Sequence, residues 1–261
     1  MIVELEQAVS LVRDGDRVGV GGAVLSRKPM AAVRALAAAG RRELELVTFA
    51  GSLEVEELLA AGALSAVRSS YVGLGAHGPA PRFADAVASD AIADLEESEW
   101  MLLGGLRAAA AGMPFLPTRA GLGSDLVSAR GLREVVDPYT GTATLAIPAL
   151  RLDVAILHAW RADAVGHIQA PWPPDHLADV DLLLARSARI VIVTVEEIVD
   201  VEQVVSSARD TVLYPFEVDA VALVSGGAAP TSYPPLYPAD ETEINKLAKR
   251  DLAATPSNER K

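Results

Sequence analysis

The sequence contains no cysteine. That excludes disulfides, thiolate nucleophiles and thiolate-bound zinc or iron–sulfur clusters, and it agrees with a reducing compartment. Aromatic residues make up only 5% and there are only 4 histidines, so the core must be built from Ala, Val and Leu, and any metal held by His and carboxylates. Basic residues are in deficit, 23 against 35 acidic ones, which gives a formal net charge of −12. Nucleic acid and anionic membranes are both gripped through a basic surface, so neither is an expected partner. Apolar runs such as Ile190 to Val195 and Leu182 to Ala185 stop far short of the roughly 20 residues that span a bilayer. The opening Met1-Ile2-Val3-Glu4-Leu5-Glu6 lacks the basic region and apolar stretch of a secretory signal. A soluble, cytoplasmic chain is the expectation.

What is present is globular: 261 residues with 51% hydrophobic and 22% charged side chains, enough to bury a self-sufficient core. No linker, charge block or repeat divides the chain, so one domain over 1–261 is expected, with a frayed tail at 253–261. Leu5, Ala8, Val9 and Val12 recur at helical spacing, and Asp14-Gly15-Asp16 ends that helix. Arg17 to Gly22 then reads as a buried strand running into a glycine turn. Pro29 opens a helix carrying Met30, Val33, Leu36 and Ala37 on one face, and Gly40 stops it. Leu44–Phe49 reads as a strand, Val55–Ala61 as a helix and Val67–Val72 as a third strand. Val154–Leu157, Ile190–Val195 and Val218–Val224 are β-branched runs suited to strands buried on both faces. Strands alternating with helices imply right-handed crossovers, hence an open α/β fold around a mostly parallel sheet. The Pro-rich stretches 171–174 and 230–238 read as loops, and 240–261 contains an amphipathic helix through Ile244, Leu247 and Leu252.

Gly19-Val20-Gly21-Gly22 after a strand invites a dinucleotide reading, but the full Gly-x-Gly-x-x-Gly spacing is absent and the second strand ends without the ribose-binding acid. Backbone amides at such a turn are still candidates for holding an anion or a developing oxyanion. His77, His158, His167 and His176 lack helical metal-ligand spacing and read as surface or loop residues, so no metal site is expected. Glu96, Glu97 and Glu99 precede a helix at Trp100–Ala111, where acids complement the helix dipole or one of them serves as base or nucleophile. In Met113–Asp125, two prolines stiffen an apolar run that delivers Arg119 to a Gly-Leu-Gly-Ser turn. Such an arginine suits a carboxylate or phosphate, or pairs with an internal Asp.

Pro114-Phe115-Leu116-Pro117-Thr118-Arg119, Gly121-Leu122-Gly123-Ser124-Asp125 and Asp137-Pro138-Tyr139 resemble the alpha subunit of class I CoA-transferases of the glutaconate type. Further matches follow in order at Pro148–Asp153, His158-Ala159, Arg161–Asp163 with Gly166, Thr194–Val199 and Val218–Val221. The resemblance implies a NagB/RpiA-type α/β fold, a homologous beta subunit and an active site at the subunit interface. In the family a beta-subunit glutamate attacks acyl-CoA, giving an acyl-glutamyl anhydride and then a glutamyl-CoA thioester that a carboxylate resolves. Coenzyme A is then a substrate, and no permanently bound cofactor is implied. Ser26-Arg27-Lys28-Pro29-Met30 and Pro117 to Ser124 are also similar to the alpha subunit of actinobacterial hydrolases that open the last steroid ring as a CoA thioester. There an alpha-subunit glutamate and arginine are implicated in catalysis, and the matching positions are Glu99 and Arg119. The expected contacts to coenzyme A or the acyl group are Gly21, Gly22, Arg27, Lys28, Gly123 and Ser124. Three readings follow: a transferase alpha subunit, a carbon–carbon hydrolase alpha subunit, and a non-catalytic module that binds CoA esters.

Overall fold

The computed structural model describes residues 2–254, so most of the tail expected at 253–261 lies outside the described residues. The chain begins with α1 (Leu5–Val9), β1 (Arg17–Val20), α2 (Met30–Ala38), β2 (Leu44–Val47), α3 (Leu53–Ala60), β3 (Leu64–Arg68), α4 (Pro81–Ala88) and β4 (Ala93–Asp94). It continues through α5 (Glu99–Ala110), β5 (Phe115–Thr118), α6 (Leu126–Ala129), β6 (Arg133–Val136) and β7 (Ala143–Pro148). The last third holds β8 (Leu152–Asp163), β9 (Ile168–Gln169), α7 (Ala178–Ser187), β10 (Ala188–Val199), α8 (Val201–Ser206), β11 (Thr211–Leu213), β12 (Ala220–Leu223) and α9 (Glu241–Ala254).

The main sheet runs β12-β10-β8-β1-β2-β3-β4 with every neighbour parallel. This is the open, mostly parallel α/β sheet that the alternating periods imply. β8 and β10 run longer than the apolar pattern indicated, because β9 adds antiparallel to the far end of β8 and β11 adds to β9. One buried cluster joins α1, α2 and α3 to one face of the sheet, and a second joins α5 and α7 to the other. The third strand is shifted: it occupies Leu64–Arg68 rather than Val67–Val72, and the residues after Arg68 form turns that pair with the ends of β2.

A separate antiparallel sheet, β5-β7-β6, stands apart from the strands that the apolar periodicity predicts. The Pro-Phe-Leu-Pro run is its edge strand, where a proline lacking an N–H is tolerated. Leu145 and Ile147 of β7 turn inward onto Met101 of α5 and are buried there.

Candidate functional site

From the β1–β8 pair the chain progresses outward in both directions, through β2, β3 and β4 on one side and β10 and β12 on the other. The C-terminal ends of strands at such a switch point form a crevice, the usual ligand position in open α/β sheets. Gly21 and His158 lie just past the last paired residues there, Val20 and Ile156.

The glycines have a packing purpose. A Cβ at Gly19 would lie 2.5 Å from Leu152 Cδ1 and 3.2 Å from Leu184 Cδ2, and one at Gly21 2.7 Å from Leu157 Cδ2 and 3.2 Å from Asp181 Oδ1. Positions two apart on a strand share a face, as do positions three apart on a helix. Bare backbone at Gly19 and Gly21 therefore lets α7 lie against β1, with Leu184 and Asp181 over the gaps. At Gly22 φ is +78° and a Cβ would meet Ser26 O at 2.5 Å, so only glycine closes this turn.

That close approach uses the amides assigned to a ligand. Gly21 N–H donates to Ile156 O (3.0 Å), Gly22 N–H to Asp181 Oδ1 (2.7 Å), Ala23 N–H to Ser26 O (2.9 Å) and Val24 N–H to Ala50 O (2.9 Å). As amide donors to an anion, Gly21 and Gly22 are corrected: the fold has already satisfied both. Lys28 is corrected as well. Its side chain is 0% exposed, and the ammonium donates to Glu54 Oε1 (2.5 Å) and Thr48 Oγ1 (2.9 Å). Glu54 in turn accepts from Ser52 N–H (3.0 Å). Arg27 is buried and held by Asp181 (Nε to Oδ2, 3.3 Å), by Asp175 and by the His176 carbonyl (3.0 Å). Burial opposes its charge, but the two aspartates outweigh that and raise its pKa; burial pushes the Asp181 carboxyl up. Arg27 is a structural cation in this chain rather than a free phosphate contact.

His158 is buried, not the surface or loop residue expected. Nδ1 lies 2.8 Å from Thr194 Oγ1 and Nε2 2.7 Å from Glu196 Oε1. Glu196 also accepts from Tyr237 OH (2.6 Å) and Gly226 N–H (2.7 Å). Burial opposes ionisation of Glu196, yet the hydrogen bonds from His158, Tyr237 and Gly226 pull its pKa down to about 2. A carboxylate thus fastens the ends of β8 and β10 to the loop between β12 and α9. His167 closes the turn after β8 by pairing through Nδ1 with Asp163 Oδ2 at 2.8 Å.

Glu99 and Arg119 differ from these groups. Glu99 is the first residue of α5, whose cap is Ser98 Oγ accepting from Met101 N–H (3.3 Å). Arg119 follows β5 in the loop that carries Gly123 and Ser124, and all four residues are exposed. Neither the Glu99 nor the Arg119 side chain has a partner among the described residues. A Cβ at Gly121 would strike Met101 Cε at 2.3 Å, so the Arg119 loop packs on the Met101 side chain of α5, the helix that Glu99 opens. Glu97 is committed elsewhere, accepting from Arg68 (2.6 Å) and Arg130 (3.0 Å). Its backbone N–H reaches Ser69 O (3.1 Å), which places the start of α5 at the same C-terminal edge as the glycine turn. Ser124 Oγ donates to Gly121 O (2.7 Å) within the loop.

A coenzyme A transferase family model matches residues 2–221. The chain belongs to the coenzyme A transferase family. It is 37% identical over 249 residues to the IpdA subunit of the cholesterol ring-cleaving hydrolase of Mycobacterium tuberculosis, covering 91% of this chain and 83% of that one. The glutaconate CoA-transferase structure from Acidaminococcus fermentans superposes with a TM-score of 0.88 at 27% identity, covering 97% of this chain and 86% of that one. A cysteine-to-serine variant of the decarboxylase AibA/AibB gives 0.84 at 32% identity, covering 97% and 98%. Several relatives are named as the A subunit of their enzymes. This transferase-family chain is accordingly an alpha-type subunit.

Several residues that shape the site of this CoA-transferase subunit escaped sequence reasoning. Glu54 and Glu56 are acids on the buried side of α3, a visible anomaly in an otherwise apolar helix face. Asp175 and Asp181 lie about 150 residues from Arg27, and no local pattern joins them. Among the described residues no cluster of His, Cys, Asp or Glu could hold a metal ion, and no helix is long and apolar enough to cross a membrane.

Proposed function

We propose that this chain pairs with a homologous beta subunit to form an enzyme that moves coenzyme A between an acyl-CoA and a carboxylic acid. One observation carries the reading: the carboxylates around the glycine turn are already committed. Glu54 is locked to Lys28, and Asp175 and Asp181 to Arg27. With those acids spent, the nucleophile for anhydride formation comes from the partner chain, as in the transferases this sequence resembles, while Glu99 of this chain stays free at the margin of the crevice. The partner glutamate attacks the acyl carbonyl and expels CoA thiolate. The thiolate attacks the glutamyl carbonyl and releases the acyl group as carboxylate; an acceptor carboxylate then reverses these steps. In this chain, the unpaired Arg119 with Gly123 and Ser124 forms the surface offered to the substrate. Trp100, 62% exposed beside Glu99, is a large apolar group suited to coverage by the beta subunit.

A second reading, hydrolysis with carbon–carbon cleavage, is favoured by the free Glu99 and Arg119 together with the identity to the IpdA subunit. The two-chain complex, given a labelled acyl-CoA and a panel of acids, should form a new thioester, and Glu99→Ala should retain most of that activity. Water as the only acceptor, with turnover abolished in Glu99→Ala while the subunits still assemble, would overturn the transferase reading in favour of the hydrolase.

A further inference from the structure

Beside the glycine turn lies a cavity of about 480 Å³, within the usual range of small-molecule pockets. The ends of β8 and β10 form one wall, α7 another, and the 170–175 loop with β11 encloses the rest. Its walls are mostly apolar, with Leu157, Ile168, Leu182, Val193 and Leu213 as the larger contributors and Trp172 at the mouth, 59% exposed. The polar groups on the lining are largely spent. Both ring nitrogens of His158 are engaged, and Arg27 is clasped by Asp175 and Asp181.

Two features remain unexplained by the fold. Tyr233 lines the cavity, is 1% exposed, and its hydroxyl has no hydrogen-bond partner among the described residues. A donor on the cavity wall with no partner from the protein is free to serve an acceptor on a ligand. The second feature is charge. The lining carries four aspartates, Asp175, Asp179, Asp181 and Asp210, against two cations, Arg27 and Arg209. Asp210 Oδ1 is buried without a hydrogen bond and lies 3.4 Å from Arg209 Nε as an ion pair, so neither of the two cations is left over for a further anion. Arg27 Nη2 is also buried and unpaired, but its guanidinium already faces two carboxylates, so a third would arrive in an acidic surrounding.

We infer that this cavity receives an uncharged, apolar acyl group or ring bearing one hydrogen-bond acceptor, such as a keto oxygen set against Tyr233, and rejects an acyl group ending in a second carboxylate. The inference rests on the acyl-CoA reading only in naming the ligand an acyl group. It separates this chain from a relative such as glutaconate CoA-transferase, whose named acid is a dicarboxylate. Each methylene buried in the cavity should tighten binding about fourfold, and the Tyr233 hydrogen bond about fivefold more. A carboxylate, stripped of water beside an excess of acids, should lose about a hundredfold.

The test uses N-acetylcysteamine thioesters, which carry the acyl group without coenzyme A. Cyclohexanecarbonyl, 4-oxocyclohexanecarbonyl and 4-carboxycyclohexanecarbonyl thioesters are titrated calorimetrically into the complex with the beta subunit and into the full chain alone. The 4-oxo compound should bind about fivefold tighter than the unsubstituted ring, and the 4-carboxy compound about a hundredfold more weakly than the 4-oxo. Tyr233→Phe should erase the 4-oxo preference and leave the unsubstituted ring unaffected. Ala178→Phe, which drives a ring into the cavity from the first turn of α7, should abolish all binding. Equal affinity for the 4-carboxy and 4-oxo compounds, an undiminished 4-oxo preference in Tyr233→Phe, or no binding of any of the three would overturn the inference. Because binding is read without turnover, a complex that binds the 4-oxo thioester but moves no coenzyme A refutes the transferase reading alone.

Discussion

Replacing Glu196 by Gln should destabilise the chain in a pH-dependent way. The carboxylate accepts from His158, Tyr237 and Gly226, and only 11% of its side chain is exposed. A carboxyl held at about 2 rather than its ordinary 4.5 contributes at most about 3.4 kcal/mol at neutral pH. Its partial contact with solvent screens this to about 2 kcal/mol. The amide keeps the shape but must turn its NH₂ toward at least one donor. Because the folded value lies below the unfolded one, the stabilisation is complete well above pH 4.5 and is lost as the pH falls toward 2. Urea unfolding of both proteins, followed by circular dichroism, should therefore show a gap of about 2 kcal/mol at pH 7 that narrows to about 1 kcal/mol at pH 3. A gap below about 0.5 kcal/mol at pH 7, or one that does not change across this range, would refute the argument that the three donors hold Glu196 ionised.

Lys28→Met should cost about 3–5 kcal/mol, measured by urea unfolding, because it strands the buried Glu54 carboxylate; adding Glu54→Leu should recover most of the loss. Gly22→Ala and Gly123→Ala share a φ of +78°, yet only the first pushes a Cβ to 2.5 Å from a backbone oxygen. Thermal melts should show Gly123→Ala costing about 1 kcal/mol and Gly22→Ala well over about 2 kcal/mol. Asp181→Ala removes the acceptor for Gly22 N–H and one partner of Arg27, and amide hydrogen exchange at Gly22 should speed up at least about tenfold while the β2–β3 core stays protected.

The parallel sheet was legible because its strands are buried on both faces and its helices on one. Val18, Val20, Val154, Ile156 and Ile192 announce strands, and Met30, Val33 and Leu36 announce a helix, through periodicity alone. What periodicity cannot convey is direction and partner. Arg27 and Lys28 beside a glycine turn look the same whether they point outward or inward, and the acids that turn them inward stand on α3 and around α7. His158 looked like a loop residue because its acceptor, Glu196, lies 38 positions away on the neighbouring strand. The β5-β7-β6 sheet was missed because prolines at 114 and 117 mask an edge strand whose pairing depends on β7, about 25 residues further on. Arg119 was the opposite case: an internal Asp was an even alternative, and its side chain has no such partner among the described residues.

The glycine motif shows why a local signal needs its tertiary context. Gly19-Val20-Gly21-Gly22 suggested amides open to an anion, yet in the fold Gly19 and Gly21 make room for α7 and Gly22 closes a turn. The same contact carries Asp181 onto Gly22 and Arg27, so helix packing, turn closure and charge neutralisation are one event. Its consequence for chemistry is that the arginine and the amides at the centre of the switch-point crevice are already engaged by the protein, with a mostly apolar cavity beside them. The side chains left free for a ligand or a second chain, Glu99 and Arg119, stand at its margin on α5 and the loop after β5. In the function proposed above, a subunit built this way positions an acyl group and leaves covalent attack to a carboxylate brought by its partner.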